Sequence, residues 1–128
     1  MHKSYVAIGA VLGAIAVALG AFGAHGLKKI VPAETVQTFQ TGVQYQMYHS
    51  LALLLAGILY EKCSPKFVKL SGIFFIAGII LFSGSLYLLT FFKSTETVGM
   101  EKFGLITPFG GLAFIAGWVL LFFAAIKK

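Results

Sequence analysis

Long apolar stretches separated by short charged breaks dominate this chain. Its lysines and glutamates leave four charge-free runs, at residues 4–27, 35–60, 70–92 and 103–126. A helix needs about 20 residues to cross the hydrocarbon core of a bilayer, and each run exceeds that. Backbone N–H and C=O groups must be paired inside the hydrocarbon, so each run is predicted to be helical. The pattern predicts an all-α integral membrane protein. Its fold is expected to be a compact antiparallel bundle of four transmembrane helices in one domain over residues 1–128. The spans fall near 4–27, 41–60, 70–92 and 103–126. The first run is read as a retained helix, because it is longer than the apolar core of a signal peptide.

The second run begins differently. Pro32 precedes Glu34, Thr35, Gln37, Thr38 and Gln40. Proline suits a first helical turn, and Glu34 suits the positive end of the helix dipole. The polar residues predict a short amphipathic helix on the outer surface that continues past Gly42 into the second span, with a bend at that glycine.

Composition agrees with the pattern. The chain is 59% apolar and only 11% charged, with a mean hydropathy of +0.92. A soluble domain of this size carries about 25% charged residues. These figures exclude a soluble enzyme, a disordered tail and a disulfide scaffold. Cys63 is the single cysteine, so no intramolecular disulfide or CxxC site exists. The net charge of +6 comes from lysines spread over loops and ends, with no basic run. That spread argues for topology and anionic lipid, not nucleic acid. Four spans place Lys3, Lys62, Lys66, Lys69, Lys127 and Lys128 on one side. Lys28, Lys29, Lys93 and Lys102 fall on the other. The positive-inside rule then gives N-in and C-in in the cytoplasmic membrane.

Small residues mark the packing faces. Gly9, Gly13, Ala16, Gly20 and Ala24 share one face of the first helix and include a GxxxG. Gly110, Ala113, Gly117 and Ala124 form a stripe on the fourth, and Ser71, Gly78 and Ser85 on the third. Such stripes let membrane helices approach closely. The GxxxG serves internal packing or a dimer equally well.

The polar residues converge. In an antiparallel bundle His25, Tyr45, Gln46, His49, Ser83, Ser85, Tyr87 and Thr107 all fall in the outer half. Tyr45 and His49 share a helix face, and Gln46 lies three residues before His49. Unpaired polar groups are expensive in lipid. These eight should therefore bond to one another, to water or to a ligand. Three readings stay open. They form a clasp that sets helix register, or a pocket for an amphiphile such as a phospholipid or quinone, or a haem site ligated by His25 and His49. In the pocket reading Lys28 and Lys29 contact an anionic headgroup at the rim. The alternatives at the level of function are a structural accessory subunit of a larger membrane complex and a bis-histidine haem redox protein. A homo-oligomer is compatible with each. An enzyme is disfavoured. No carboxylate lies inside a span, no acid orients a serine–histidine pair, and no set of zinc ligands is present. The missing carboxylate also excludes proton-coupled export of the small-multidrug-exporter kind.

Four blocks carry a family resemblance. They are Gly20 to Leu27 (GAFGAHGL), Tyr45 to Leu53 (YQMYHSLAL), Leu81 to Tyr87 (LFSGSLY), and Thr107 to Gly111 (TPFGG) with Gly117-Trp118. Together they resemble the domain-of-unknown-function 423 family, also called the YgdD or transmembrane-protein-256-like family, over essentially the whole chain. The resemblance implies a small four-helix protein of the bacterial cytoplasmic membrane, with mitochondrial relatives. It implies no activity.

Overall fold

The computed structural model describes residues 1–99 and 101–127. Lys128, one of the lysines assigned to the inner side, lies outside the described residues. Four long helices account for most of the rest: α1 (Lys3–Ala24), α2 (Ala33–Ile58), α3 (Pro65–Ser94) and α4 (Thr107–Lys127). Short 3-10 turns at Leu27–Lys29, Leu59–Glu61 and Glu101–Leu105 fill the connections. The ends follow local chemistry. The His2 ring accepts the Tyr5 N–H at the start of α1, and Pro65 begins α3, where its missing N–H has no helical partner to lose.

Each helix runs antiparallel to the next. Between α1 and α2, Gly9 lies against Ser50 and Leu54, Gly20 against Val43, and Gly23 against Phe39 and Gln40. Between α3 and α4, Gly78 meets Phe114, while Gly117 meets Phe75. α2 and α3 form the centre of the packing. α1 packs mainly on α2 and α4 mainly on α3, and α1 and α4 scarcely touch each other. The small-residue stripe of α1 is therefore spent inside the chain, which resolves the GxxxG ambiguity. A Cβ on Gly110 would come within 2.3 Å of the Phe82 backbone nitrogen. At Gly72 it would run into the Tyr5 ring, whose hydroxyl donates to the Lys69 carbonyl beyond. Two apolar clusters close the ends. Tyr5, Leu53, Ala56, Cys63, Val68 and Ala124 form one, and Ala16, Leu27, Val31, Phe39 and Val43 the other.

Two expectations need correction, and one feature was not foreseen. The polar segment before the second span continues past Gly42 into the rest of the helix, as expected, but no break falls at that glycine. α2 is continuous through Gly42, because Gly42 is buried against Tyr87 and Leu86 and its carbonyl accepts the Ser83 hydroxyl. A glycine spaced for close helix approach had been taken for a bend. The helices also begin and end differently from the charge-free runs. α2 starts at Ala33 and α3 at Pro65, since a charge at a helix end can sit outside lipid while the backbone stays helical. Finally, α3 contains a π-turn at Ile79–Ser83. Three helical segments, Lys3–Lys29, Pro65–Ser94 and Glu101–Lys127, are long and apolar enough to cross a membrane. α2 is as long but carries more polar residues.

Candidate functional site

The centre of the polar cluster is Gln46, which is 2% exposed. Its Nε2 donates to the Leu12 carbonyl of α1 at 2.8 Å, and its Oε1 accepts the Tyr87 hydroxyl of α3 at 2.7 Å. One amide thus joins three helices. Ser83, at the end of the π-turn, donates to the Gly42 carbonyl of α2 at 2.6 Å. The wide turn also leaves the Phe82 carbonyl to accept from Ser85, which shares a 2.6 Å bond with Thr107 of α4. π-turns of this kind re-aim side chains within a helix.

His49 ties α2 to α4. Its Nδ1 lies 2.7 Å from the Tyr45 carbonyl, and its Nε2 lies 3.0 Å from Trp118 Nε1. A carbonyl only accepts and an indole N–H only donates, so the ring is neutral with its proton on Nδ1. The imidazole stacks on Phe114, with centroids 3.6 Å apart and planes 8° from parallel. Phe75 and the half-exposed Tyr45 complete the aromatic surround.

The structure therefore brings together six of the eight predicted residues, in two adjoining sets: Gln46 with Tyr87, and Ser83, Ser85, Thr107 and His49 with α2 and α4 groups. Tyr45 contributes a carbonyl and a ring wall. His25 is not brought in. It is exposed at the end of α1, where its Nδ1 reaches only the Ala21 carbonyl. By depth His25 lies shallower than His49, and a meeting needed a tilt or a shift of the Gly23–Gly26 segment; in the structure the residue stays exposed. Both His49 nitrogens are already engaged, so an axial iron bond there would displace Trp118. Among the described residues, no group of three metal-ligating side chains forms.

Every deeply buried side-chain polar atom among the described residues has a hydrogen-bond partner. The buried polar atoms of the clasp are thus taken up by partners within the protein. Several cavities lie elsewhere, most of them at the predicted outer end. One of about 470 Å³ is lined by Lys28, Val31, Ala33, Val36, Gln37 and Gln40. Another of about 230 Å³ involves Thr35, Thr38, Thr90, Lys93, Thr97 and Glu101. Lys28 lines the larger cavity, whereas Lys29 is exposed beside it.

Sequence reasoning missed Trp118, Ser50, Ser71 and Gln40 as parts of the clasp. Ser71 donates to the Gly117 carbonyl at 2.8 Å and Gln40 to the Gly20 carbonyl at 3.1 Å. The signal for Ser71 and Gln40 was present: each faces a glycine-bearing stripe, where the exposed carbonyl of a close-packed helix is within side-chain reach.

Long apolar helices locked by buried side-chain hydrogen bonds define a small helical membrane protein. The chain belongs to the family described as Protein of unknown function (DUF423), whose model matches residues 19–111. It is 44% identical over 126 residues to the UPF0382 membrane protein YwdK of Bacillus subtilis, covering 98% of each chain. It is 40% identical over 128 residues to a UPF0382 membrane protein of Haemophilus influenzae, covering 100% of this chain and 98% of that one. To the UPF0382 inner membrane protein YgdD of Escherichia coli K12 it is 39% identical over 118 residues, covering 92% of this chain and 86% of the relative. No solved structure matches the chain.

Proposed function

We propose that this chain is a four-span protein of the cytoplasmic membrane, N-in and C-in, that acts as a non-enzymatic binding or assembly protein for an amphiphile. A phospholipid or a quinone-like molecule with a polar head and an apolar tail fits this reading. The observation that carries it is the cavity of about 470 Å³ beside α2. Val31, Ala33 and Val36 give it an apolar wall, and Lys28, Gln37 and Gln40 give it a polar rim. An ammonium above an apolar wall suits an anionic headgroup with its tail running down the helix. The internal pairing of the clasp moves the ligand from the bundle interior to this outer groove. α2 is about 39 Å long at 1.5 Å per residue, which supports its reading as a fourth span. The inner-membrane name of the Escherichia coli relative supports the cytoplasmic membrane.

Native mass spectrometry of protein extracted with its lipid tests the reading. A bound amphiphile is expected on the unaltered chain and is expected to be lost or reduced in Lys28→Glu. Absence of any adduct, or an adduct indifferent to that change, refutes it. The internal pairing of the clasp favours a second reading, a structural subunit of a larger complex. That reading predicts a protein partner on mild extraction and no small molecule.

A further inference from the structure

α2 carries a second set of polar side chains that the bundle does not use. Thr41, Gln44, Tyr48, Leu51, Leu55 and Ile58 step along it by three, four, three, four and three. This is the 3.5-residue repeat of a coiled-coil seam. All except Thr41 are exposed, with Tyr48 at 53%. The seam runs between two occupied faces. Met47 and Leu54 on one side meet Gly13 and Gly9 of α1, and His49 on the other meets Phe114 and Trp118 of α4.

Among the described residues, nothing bonds the side-chain amide of Gln44 or the hydroxyl of Tyr48. Taking the inner end of the hydrocarbon at Ile58, Tyr48 sits about 15 Å up, near the middle of a core about 30 Å thick. Gln44 is then about 9 Å below the outer boundary. Lipid offers such groups no hydrogen bond. The outward faces of the other helices meet lipid without this problem. α4 exposes Leu112, Ile115, Val119 and Phe122, and α3 exposes Ile73, Ile80 and Leu88.

We infer that this seam is the contact surface for a second copy of the chain, forming a parallel two-fold dimer along α2. A two-fold interface must be complementary to itself. An amide and a phenol each donate and accept, so Gln44 and Tyr48 can pair with their own symmetry mates near the axis. The stretch holds no charge between Glu34 and Glu61, so two copies meet without repulsion. Leu51, Leu55 and Ile58 supply the apolar knobs of the inner half, and a polar residue at one seam position fixes register. The inference rests on the reading of α2 as a membrane span.

Cysteine cross-linking of the full chain in native membranes, in a Cys63→Ala background, tests it. Gln44→Cys, Tyr48→Cys and Leu51→Cys are expected to give disulfide dimers on oxidation, and Leu112→Cys and Ile115→Cys on α4 are not. Monomers at the α2 positions, or equal dimer at the α4 positions, overturn the inference. Gln44→Leu provides a second measurement, because leucine on a lipid-facing position leaves the fold intact. Sedimentation in detergent is expected to show a dimer whose dissociation constant rises by about tenfold in Gln44→Leu. A monomeric parent chain, or an unchanged constant, overturns it. An impermeant thiol reagent separates the two readings. Gln37→Cys and Lys62→Cys are expected to label from opposite sides, and labelling from one side refutes the span itself.

Discussion

Gln44 and Gln46 stand two positions apart on the same helix, and the fold treats them in opposite ways. Gln46 is buried, and both ends of its amide are bonded, to Leu12 of α1 and Tyr87 of α3. Gln44 is exposed, and among the described residues nothing bonds its amide. Residue type and depth are nearly the same, and only the helix face differs. In lipid a polar side chain gains its role from the partner its face supplies. Inward that role is to set helix register. Outward, on the proposed reading of α2 as a span, the same side chain calls for a partner from outside the chain.

Substitutions can break or sharpen this contrast. The largest effect is expected where the inward face has no slack. Gly110→Val drives side-chain atoms into the Phe82 backbone and is expected to cost more than about 3 kcal/mol, read as loss of folded protein or collapse of the helical melting transition. Gln46→Leu strands the Tyr87 hydroxyl and is expected to cost about 1–3 kcal/mol in the same melt. Ser83→Ala removes one bond to a carbonyl that already serves its helix, so about 0.6 kcal/mol is expected. Gln44→Leu is expected to leave the stability of the monomer within about 0.5 kcal/mol. Equal losses from Gln44→Leu and Gln46→Leu would erase the distinction between the two faces.

The smallest effect lies outside the helical core altogether. The Glu61 carboxylate accepts a 2.7 Å bond from the Met1 ammonium, and that bond and its charge hold the carboxyl below its ordinary 4.5. A lowered carboxyl favours the fold above that pH and loses its contribution as pH falls through the folded value. Glu61→Gln is therefore expected to lower Tm slightly at pH 7 and not at all in strong acid. The pair is fully exposed, so screening keeps the difference small.

Much of this was legible in the chain. The small-residue stripes located the close contacts at Gly9, Gly20, Gly78, Gly110 and Gly117, since small residues permit such approach and their spacing fixes the face, but not those at Gly42, Gly57 and Gly72. The blocks around Gln46-Met47-Tyr48-His49 and Ser83-Gly84-Ser85 located the clasp. Other features were not legible. Gly42 reads as a bend from its neighbours and proves to be a contact, because what decides it is Tyr87 on another helix. His25 lies shallower than His49 by chain position, and whether the end of α1 tilts enough to bring it in is set by packing that the helix itself does not carry; the residue stays exposed. Trp118 enters the sequence reading only as part of a family block, and its bond to His49 is set by the packing of α4 on α2 and α3.

The sequence alone determined a helical membrane protein of this family, its four helices and the faces on which they pack. Those follow from local quantities: apolar length, charge placement and residue size at fixed spacing. The tertiary structure decided which polar groups satisfy one another and which remain outward. Pairing is a property of two helices and the angle between them, and no single helix carries that information. Gln44 and Gln46 are therefore alike in the sequence and become different only when α1 and α3 close over one of them.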